Sequence, residues 1–152
     1  MKSVVCDLEE IHSSTRTYDP FEIAFYLDFE IVYTSNLPDG RLGLAVPELN
    51  VIFLANYIKG TRFSYFVCAH ELTHGTEHEG IQAFYNCSNR AKGRLEQEAD
   101  SGAIYILCKY YLETFPDIDQ LNITTLANYY DLDESIYPLI EKELKEIMEE
   151  RK

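Results

Sequence analysis

Two histidines and a glutamate lie close together in the middle of the chain, at a spacing that suits metal chemistry. Residues 70–74 read His-Glu-Leu-Thr-His, so His70 and His74 are four positions apart. On a helix these positions lie on one face, one turn apart, and both imidazoles can reach one ion at the ~2.0–2.1 Å that zinc requires. Zinc lowers the pKa of a water molecule to about 7 and polarises carbonyl groups. Glu71 would lie beside the ion without binding it, where it can act as a general base.

The pattern names only three residues, so it also arises by chance. In the alternative interpretation, both histidines make ordinary hydrogen bonds and Glu71 is a solvated surface charge. A catalytic zinc site needs three protein ligands and one open position, so a third ligand elsewhere in the chain would favour the metal.

A second acidic segment offers that third ligand. Glu96 and Asp100 are again four positions apart, at the start of a long predicted helix. Glu96 can complete a His₂Glu set, while Asp100 accepts the remaining ring N–H of a ligand histidine and fixes its orientation. The alternative is a charged helix surface. The helix becomes apolar just beyond, with Ala99 and Ala103 small enough for close packing, and buried carboxylates there favour a metal.

The chain has two further histidines, His78 and His12. His78 follows His74 by another four positions, but three histidines at successive steps of four span ~12 Å of an ideal helix. One ion cannot easily contact all three, so we interpret His78 as a residue at the helix end, with a position lining the cleft as the alternative. His12 lies in a polar segment and is interpreted as structural or solvated.

Composition limits the possible partners. The 152 residues carry 26 Asp and Glu against 13 Lys and Arg, for a formal net charge of −13. Such a charge argues against direct nucleic-acid binding, which depends on Lys and Arg contacts to phosphate. It suits a solvated acidic protein or one that meets a basic partner. No apolar run approaches the ~20 residues of a membrane span.

The N-terminal residues lack the pattern of a secretory signal, so we expect a cytoplasmic protein. The four cysteines contain no CxxC pair, and in a reducing compartment we expect free thiols that are mostly buried.

The site must be positioned by the strands and helices around it, and their predicted order indicates an α+β fold. A small N-terminal β-sheet is packed on the HExxH helix, and further helices follow towards the C-terminus. Residues 1–17 are polar and are predicted to be loosely ordered, and 18–152 form one domain. Asp19 and Pro20 are typical of a helix start. Strands are predicted at 30–34, 42–46 and 51–55, helices at 62–78, 95–115, 124–130 and 134–150, and a polar loop at 79–93.

At these residues the chain resembles the ImmA/IrrE family of zinc metallo-endopeptidases. The resemblance covers most of the chain after residue 17, and its most specific part combines the HExxH motif with the Glu-x-x-Ala-Asp segment. It is carried by residues 19–24, 51–54, 62–63, 68–74, 94–100 and 126–130. The chain departs from the family pattern at three places. Thr73 replaces a common Gly, Gly102-Ala103 stands where the family often has Phe-Ala, and residues 106–109, Ile-Leu-Cys-Lys, stand where it often has Leu-Leu-Met-Pro.

The resemblance implies a zincin-like (gluzincin) fold and one zinc ion held by His70, His74 and Glu96. Short members of the family resemble peptidases that cut a helix-turn-helix repressor of a phage or mobile element. We therefore expect a site-specific endopeptidase with Glu71 as its catalytic base and a transcriptional repressor as its protein substrate. The alternative is a zinc-stabilised anti-repressor that inactivates its partner by binding without cleavage. The twelve tyrosines include candidates for an oxyanion donor, among which the sequence does not select.

Overall fold

Three short strands form a mixed sheet in the N-terminal half of the chain. In a computed structural model, which describes residues 4–78 and 88–150, they are β1 (Glu30–Thr34), β2 (Gly43–Val46) and β3 (Val51–Ala55). β3 lies in the centre, parallel to β1 and antiparallel to β2. Their β-branched and aromatic residues suit a pleated, half-buried surface. β2 is an edge strand of this sheet, and it is the strand nearest the site described below.

A helix precedes the sheet in a segment for which the sequence predicts loose order. α1 (Val4–Thr15) packs against the long helix of the C-terminal half. Leu8 is buried, and Glu9 accepts a hydrogen bond from the hydroxyl of Tyr105 at 3.0 Å. The structure thus has a helix in a segment for which the sequence predicts loose order, and Leu8 and Glu9 are among the residues that contact the rest of the chain.

The predicted helix start at Asp19 and Pro20 is confirmed. α2 (Pro20–Tyr26) has Pro20 in its first turn, and the carboxylate of Asp19 accepts a hydrogen bond from the backbone N–H of Phe21 at 2.9 Å. This contact satisfies one of the amide groups that a helix leaves unpaired at its N-terminus.

Two helices from different parts of the chain pack closely and carry the candidate site. α3 (Phe63–Glu77) agrees with the predicted helix to within one residue at each end. α4 (Asn89–Thr114) begins six residues earlier than predicted. The hydroxyl of Ser88 accepts a hydrogen bond from the N–H of Ala91 at 3.1 Å, and this N-cap starts the helix within the segment for which a loop is predicted. The rest of that predicted loop, residues 79–87, lies outside the described residues.

The C-terminal part adds α5 (Ile123–Tyr130) and α6 (Tyr137–Glu150), close to the predicted bounds. The described part of the chain is thus an α+β fold with a small three-stranded sheet. Its core lies between the sheet, α3 and the middle of α4, where residues 104–108 are all at most 1% exposed. The thiols of Cys68 and Cys108 are free and buried, as expected, while Cys87 and the side chain of Cys6 lie outside what the structure describes. Among the described residues, no helix has both the length and the apolar character needed to cross a membrane.

Candidate metal centre

The two histidines of the motif lie side by side on α3. Their ring centroids are 4.8 Å apart, and their side chains are 13% and 11% exposed. Both residues are in the last two turns of the helix, on the face that meets α4. The spacing of four residues therefore produces the adjacent pair that the sequence predicts.

α4 brings a carboxylate to both rings. Oε1 of Glu96 lies 2.8 Å from Nε2 of His74, and Oε2 lies 3.2 Å from Nε2 of His70. One ligand atom from each of the three residues lies within 4.8 Å of the other two. Two imidazole nitrogens and a carboxylate oxygen are ligands that zinc and other divalent ions accept, so this group could hold one metal ion.

The charges of this group fit the same interpretation. Burial lowers the pKa of His70, but its hydrogen bonds with Asp100 and Glu96 outweigh that effect and raise the pKa to about 10. Burial raises the pKa of Glu96, but its bonds with the two histidines dominate and hold it well below its ordinary value. Without a metal, the positive charge of protonated His70 therefore balances the negative charge of the Glu96 carboxylate. A divalent cation would displace that proton.

Asp100 lies on the far side of the His70 ring. Its Oδ1 is 2.8 Å from Nδ1 of His70, the nitrogen that faces away from Glu96. A carboxylate only accepts hydrogen bonds, so Nδ1 must carry the proton, and Nε2 is the nitrogen left for a ligand role. The structure thus brings Asp100 to the position that the sequence argument assigns to it.

His78 has contacts that the sequence argument does not anticipate. It is the C-cap residue of α3, as expected for a helix-end residue. Its ring, however, turns back onto His74, with the two Nδ1 atoms 2.8 Å apart, and its Nε2 lies 2.9 Å from Oε2 of Glu98. Burial lowers the pKa of His78, partly opposed by the bond with Glu98. In the sequence, the feature that indicates this ring contact is the spacing of four residues between His74 and His78.

Glu71 is buried beside the centre, with only 4% of the residue exposed. Its Oε1 accepts a hydrogen bond from the backbone N–H of Ala45 in β2 at 3.1 Å, and its Oε2 lies 3.9 Å from Nε2 of His70. Burial raises the pKa of Glu71, although His70, His74 and Arg41 oppose the shift. A carboxylate held in this way, next to the ligands but bonded to a strand, has the position that a general base requires.

A cleft of about 360 Å³ opens next to these groups. Its walls are formed by the start of β2 with the residues before it, by α3 and by α4, and the residues that line it include Arg41, Gly43, Phe66, His70, Glu71 and Glu96. No tyrosine is among the described residues that line it, so the candidates for an oxyanion donor at the cleft are other groups, among them Arg41, whose charge is permanent.

Gly43 allows β2 to approach α3 this closely. A Cβ at this position would lie 2.8 Å from Cγ of Glu71 and 2.8 Å from Cγ1 of Val67. These distances are well below van der Waals contact, so a larger residue would push the strand or Glu71 aside. Sequence reasoning missed this role, because a glycine in a strand does not reveal which helix passes beneath it.

His12 lies away from the centre. Its ring stacks on Tyr18 with centroids 3.8 Å apart, and its Nε2 lies 3.6 Å from Oε1 of Glu113. These contacts agree with the structural interpretation of this histidine.

No protein-family model, curated protein or solved structure matches this chain. Family membership is therefore a proposal, which the motif residues and their geometry support.

Proposed function

We propose that this chain is a zinc-dependent endopeptidase of the ImmA/IrrE type, with a zincin-like fold, that cuts a helix-turn-helix repressor of a phage or mobile element. The observation that carries the proposal is the convergence of His70, His74 and Glu96 at one point, with Glu71 buried at their side. A second helix thus completes the short sequence motif in space.

Zinc is the metal that this donor set favours. Two imidazoles and one carboxylate are the ligands of many catalytic zinc sites, which keep a further position open. When bound, zinc would supply Lewis-acid chemistry, activating water and polarising the carbonyl of the scissile bond. The side chains around the metal would carry out the proton transfer and stabilise the developing negative charge.

Glu71 would handle the proton. With Oε1 bonded to Ala45, Oε2 remains on the side of His70 and can accept a proton from the attacking water. The water oxygen bonds to the carbonyl carbon, the C–N bond breaks, and the same proton passes to the leaving amine. The raised pKa of Glu71 suits this role, because a carboxyl group that is too acidic would not hold the proton between the two steps.

Arg41 would supply positive charge at the cleft. It lines the same cavity as Glu71 and Glu96 and lowers the pKa of Glu71 through its charge. A cation in a partly enclosed cleft can stabilise the negative charge that develops on the carbonyl oxygen. We infer that Arg41 is the oxyanion donor, a role for which the sequence suggests only an unselected set of tyrosines.

Mass analysis after incubation with a candidate helix-turn-helix repressor tests the proposal. We expect two fragments of the repressor that together account for its mass plus one water, and no fragments after zinc is removed by a chelator. An intact repressor in a stable complex would instead support the second candidate, inactivation by contact. The net charge of −13 favours that candidate, since it suits a basic partner.

A further inference from the structure

A chain of hydrogen-bonding groups leads away from the candidate metal centre through residues that are not among those lining the cleft. It runs from Nδ1 of His74 to Nδ1 of His78 over 2.8 Å, and from Nε2 of His78 to Oε2 of Glu98 over 2.9 Å. His78 is well buried, with 6% of its side chain exposed, whereas Glu98 is 44% exposed and reaches water. The chain therefore connects a buried ligand to a solvated carboxylate through a single imidazole.

The chemistry of these groups decides where the protons lie. Two ring nitrogens 2.8 Å apart need one proton between them, on either His74 or His78. If His78 Nδ1 carried it, a neutral His78 would turn a bare Nε2 towards the carboxylate of Glu98, and two lone pairs would face each other. With the proton on His74 instead, His78 accepts at Nδ1 and donates from Nε2 to Glu98. The pairs His74–His78 and His78–Glu98 then each have one donor and one acceptor, and the bare Nε2 of His74 faces a carboxylate of Glu96, a pair that a cation between the two groups would complete.

This arrangement leaves Nε2 of His74 without a proton and directed at Glu96, which it approaches at 2.8 Å. We propose that His78 and Glu98 are positioning residues that hold His74 in the Nδ1–H tautomer and present its Nε2 to the metal. The inference rests on the metal site of the proposed function, but not on peptide cleavage.

The other ligand histidine has a parallel arrangement. Nδ1 of His70 meets the carboxylate of Asp100 directly at 2.8 Å. Glu96, Glu98 and Asp100 lie within five residues of α4, so one stretch of helix provides the ligand carboxylate and both orienting carboxylates. Groups that bond to the far nitrogen of a metal-bound histidine set its tautomer and raise its basicity, and their loss typically costs about 10- to 100-fold in metal affinity.

The side chain of His78 can be replaced without removing the end of α3. The helix is closed there by the backbone N–H of His78, which donates to the carbonyl of His74 at 3.1 Å whatever the side chain. His78→Phe keeps the ring volume but removes the acceptor. His78→Asn keeps an oxygen acceptor near the place of Nδ1 but loses the link to Glu98.

Glu98→Ala tests the outer half of the chain, and Glu113→Ala is its matched control. Glu113 also lies on α4, also approaches a histidine, and is 41% exposed, but it is remote from the site. The measurements are the zinc affinity, by competition with a chelating indicator, and the nitrogen-15 NMR shifts of the His74 ring in the zinc-loaded protein.

We expect zinc affinity to fall about 10- to 100-fold in His78→Phe, and about 3- to 10-fold in Glu98→Ala, which keeps the inner acceptor. His78→Asn should recover most of the loss, and Glu113→Ala should bind as the wild type does. In the wild type, NMR should show a protonated Nδ1 and a metal-bound Nε2 on His74.

Unchanged zinc affinity in folded His78→Phe and Glu98→Ala would overturn the inference, as would a metal-bound Nδ1 on His74. Binding by His78→Asn as weak as by His78→Phe would also contradict it, because the acceptor would then not matter. If the wild type bound no zinc, both this inference and the metal site would be wrong. If affinities follow the expectation but no repressor is cut, only the proposed peptidase activity fails.

Discussion

Thr73 of α3 packs directly against Gly102 of α4, in the contact between the two site helices. A Cβ on Gly102 would lie 2.6 Å from Oγ1 and 2.7 Å from Cγ2 of Thr73. Both positions are among those at which the chain departs from the pattern it resembles, which often has Gly at the first and Phe at the second. The two departures therefore lie on opposite sides of one contact, and a larger residue on α3 accompanies a smaller one on α4.

A double-mutant cycle tests this pairing. Gly102→Ala alone should destabilise the protein by about 1–2 kcal/mol, because overpacking outweighs the gain in helix propensity. In a Thr73→Ala background both γ atoms are gone, and the same change should be neutral or stabilising. Urea unfolding of the four proteins gives the interaction energy, which we expect to be about 1–2 kcal/mol. Additive effects would show that the two residues do not constrain each other.

Zinc affinity should rise with pH. The metal must displace the proton that His70 holds with a pKa of about 10. Below that pH, binding releases this proton, so the apparent association constant should increase about tenfold per pH unit between pH 6 and 8. Competition titrations at constant ionic strength measure the slope. A constant affinity across this range would mean that His70 is already unprotonated in the metal-free protein.

Replacing Gly43 should impair catalysis more than metal binding. An added Cβ would collide with Glu71 and Val67, neither of which is among the proposed metal ligands. We expect Gly43→Ala to lower kcat by about tenfold or more while zinc content stays at one ion per chain, since small displacements of a catalytic group are costly. Gly93→Ala is the control, because a Cβ there meets nothing within 4 Å. Equal activity of the two variants would show that the absence of a side chain at Gly43 does not matter for catalysis.

Glu143 on α6 should make stability depend on pH. It is 2% exposed, its Oε2 finds no hydrogen-bond partner among the described residues, and burial raises its pKa to about 7. The folded protein then holds a proton that the unfolded chain releases near pH 4.5, so stability is lost as pH rises from about 4.5 to about 7.

Glu143→Gln should therefore stabilise the protein at pH 8 by about 2 kcal/mol, allowing for partial screening by water, and leave it unchanged at pH 4.5. Urea unfolding at the two pH values measures the difference, with exposed Glu146→Gln as the control. A stabilisation of the same size at both pH values would point to packing rather than charge.

The parts of the site that could be predicted from sequence depend on spacing within one helix. His70 with His74, and Glu96 with Asp100, follow from the repeat of the α-helix, and the structure brings the two pairs together. The contact of His78 with Glu98 depends on how α3 and α4 align, which no local pattern contains. Gly43 was missed for a similar reason, because its role depends on β2 being the strand that passes over α3.

The same limit explains the errors in the fold. The strands and α3 carry clear apolar patterns, and their positions were predicted to within about one residue. α1 and the first turns of α4 are polar, so their sequences resemble loops. Leu8 and the N-cap Ser88 attach or start these helices through single contacts, which composition does not reveal.

The most direct test of the central claim compares zinc-loaded wild type with Glu71→Gln, which keeps all three proposed ligands. Each protein is added to a native lysate of the source cells, and new protein N-termini are identified by mass spectrometry. We expect both proteins to hold one zinc, the wild type to create new N-termini in a DNA-binding repressor, and Glu71→Gln to form them at least about 100-fold more slowly. Equal cleavage by the two proteins, or no new termini from a wild type that holds its zinc, would contradict it.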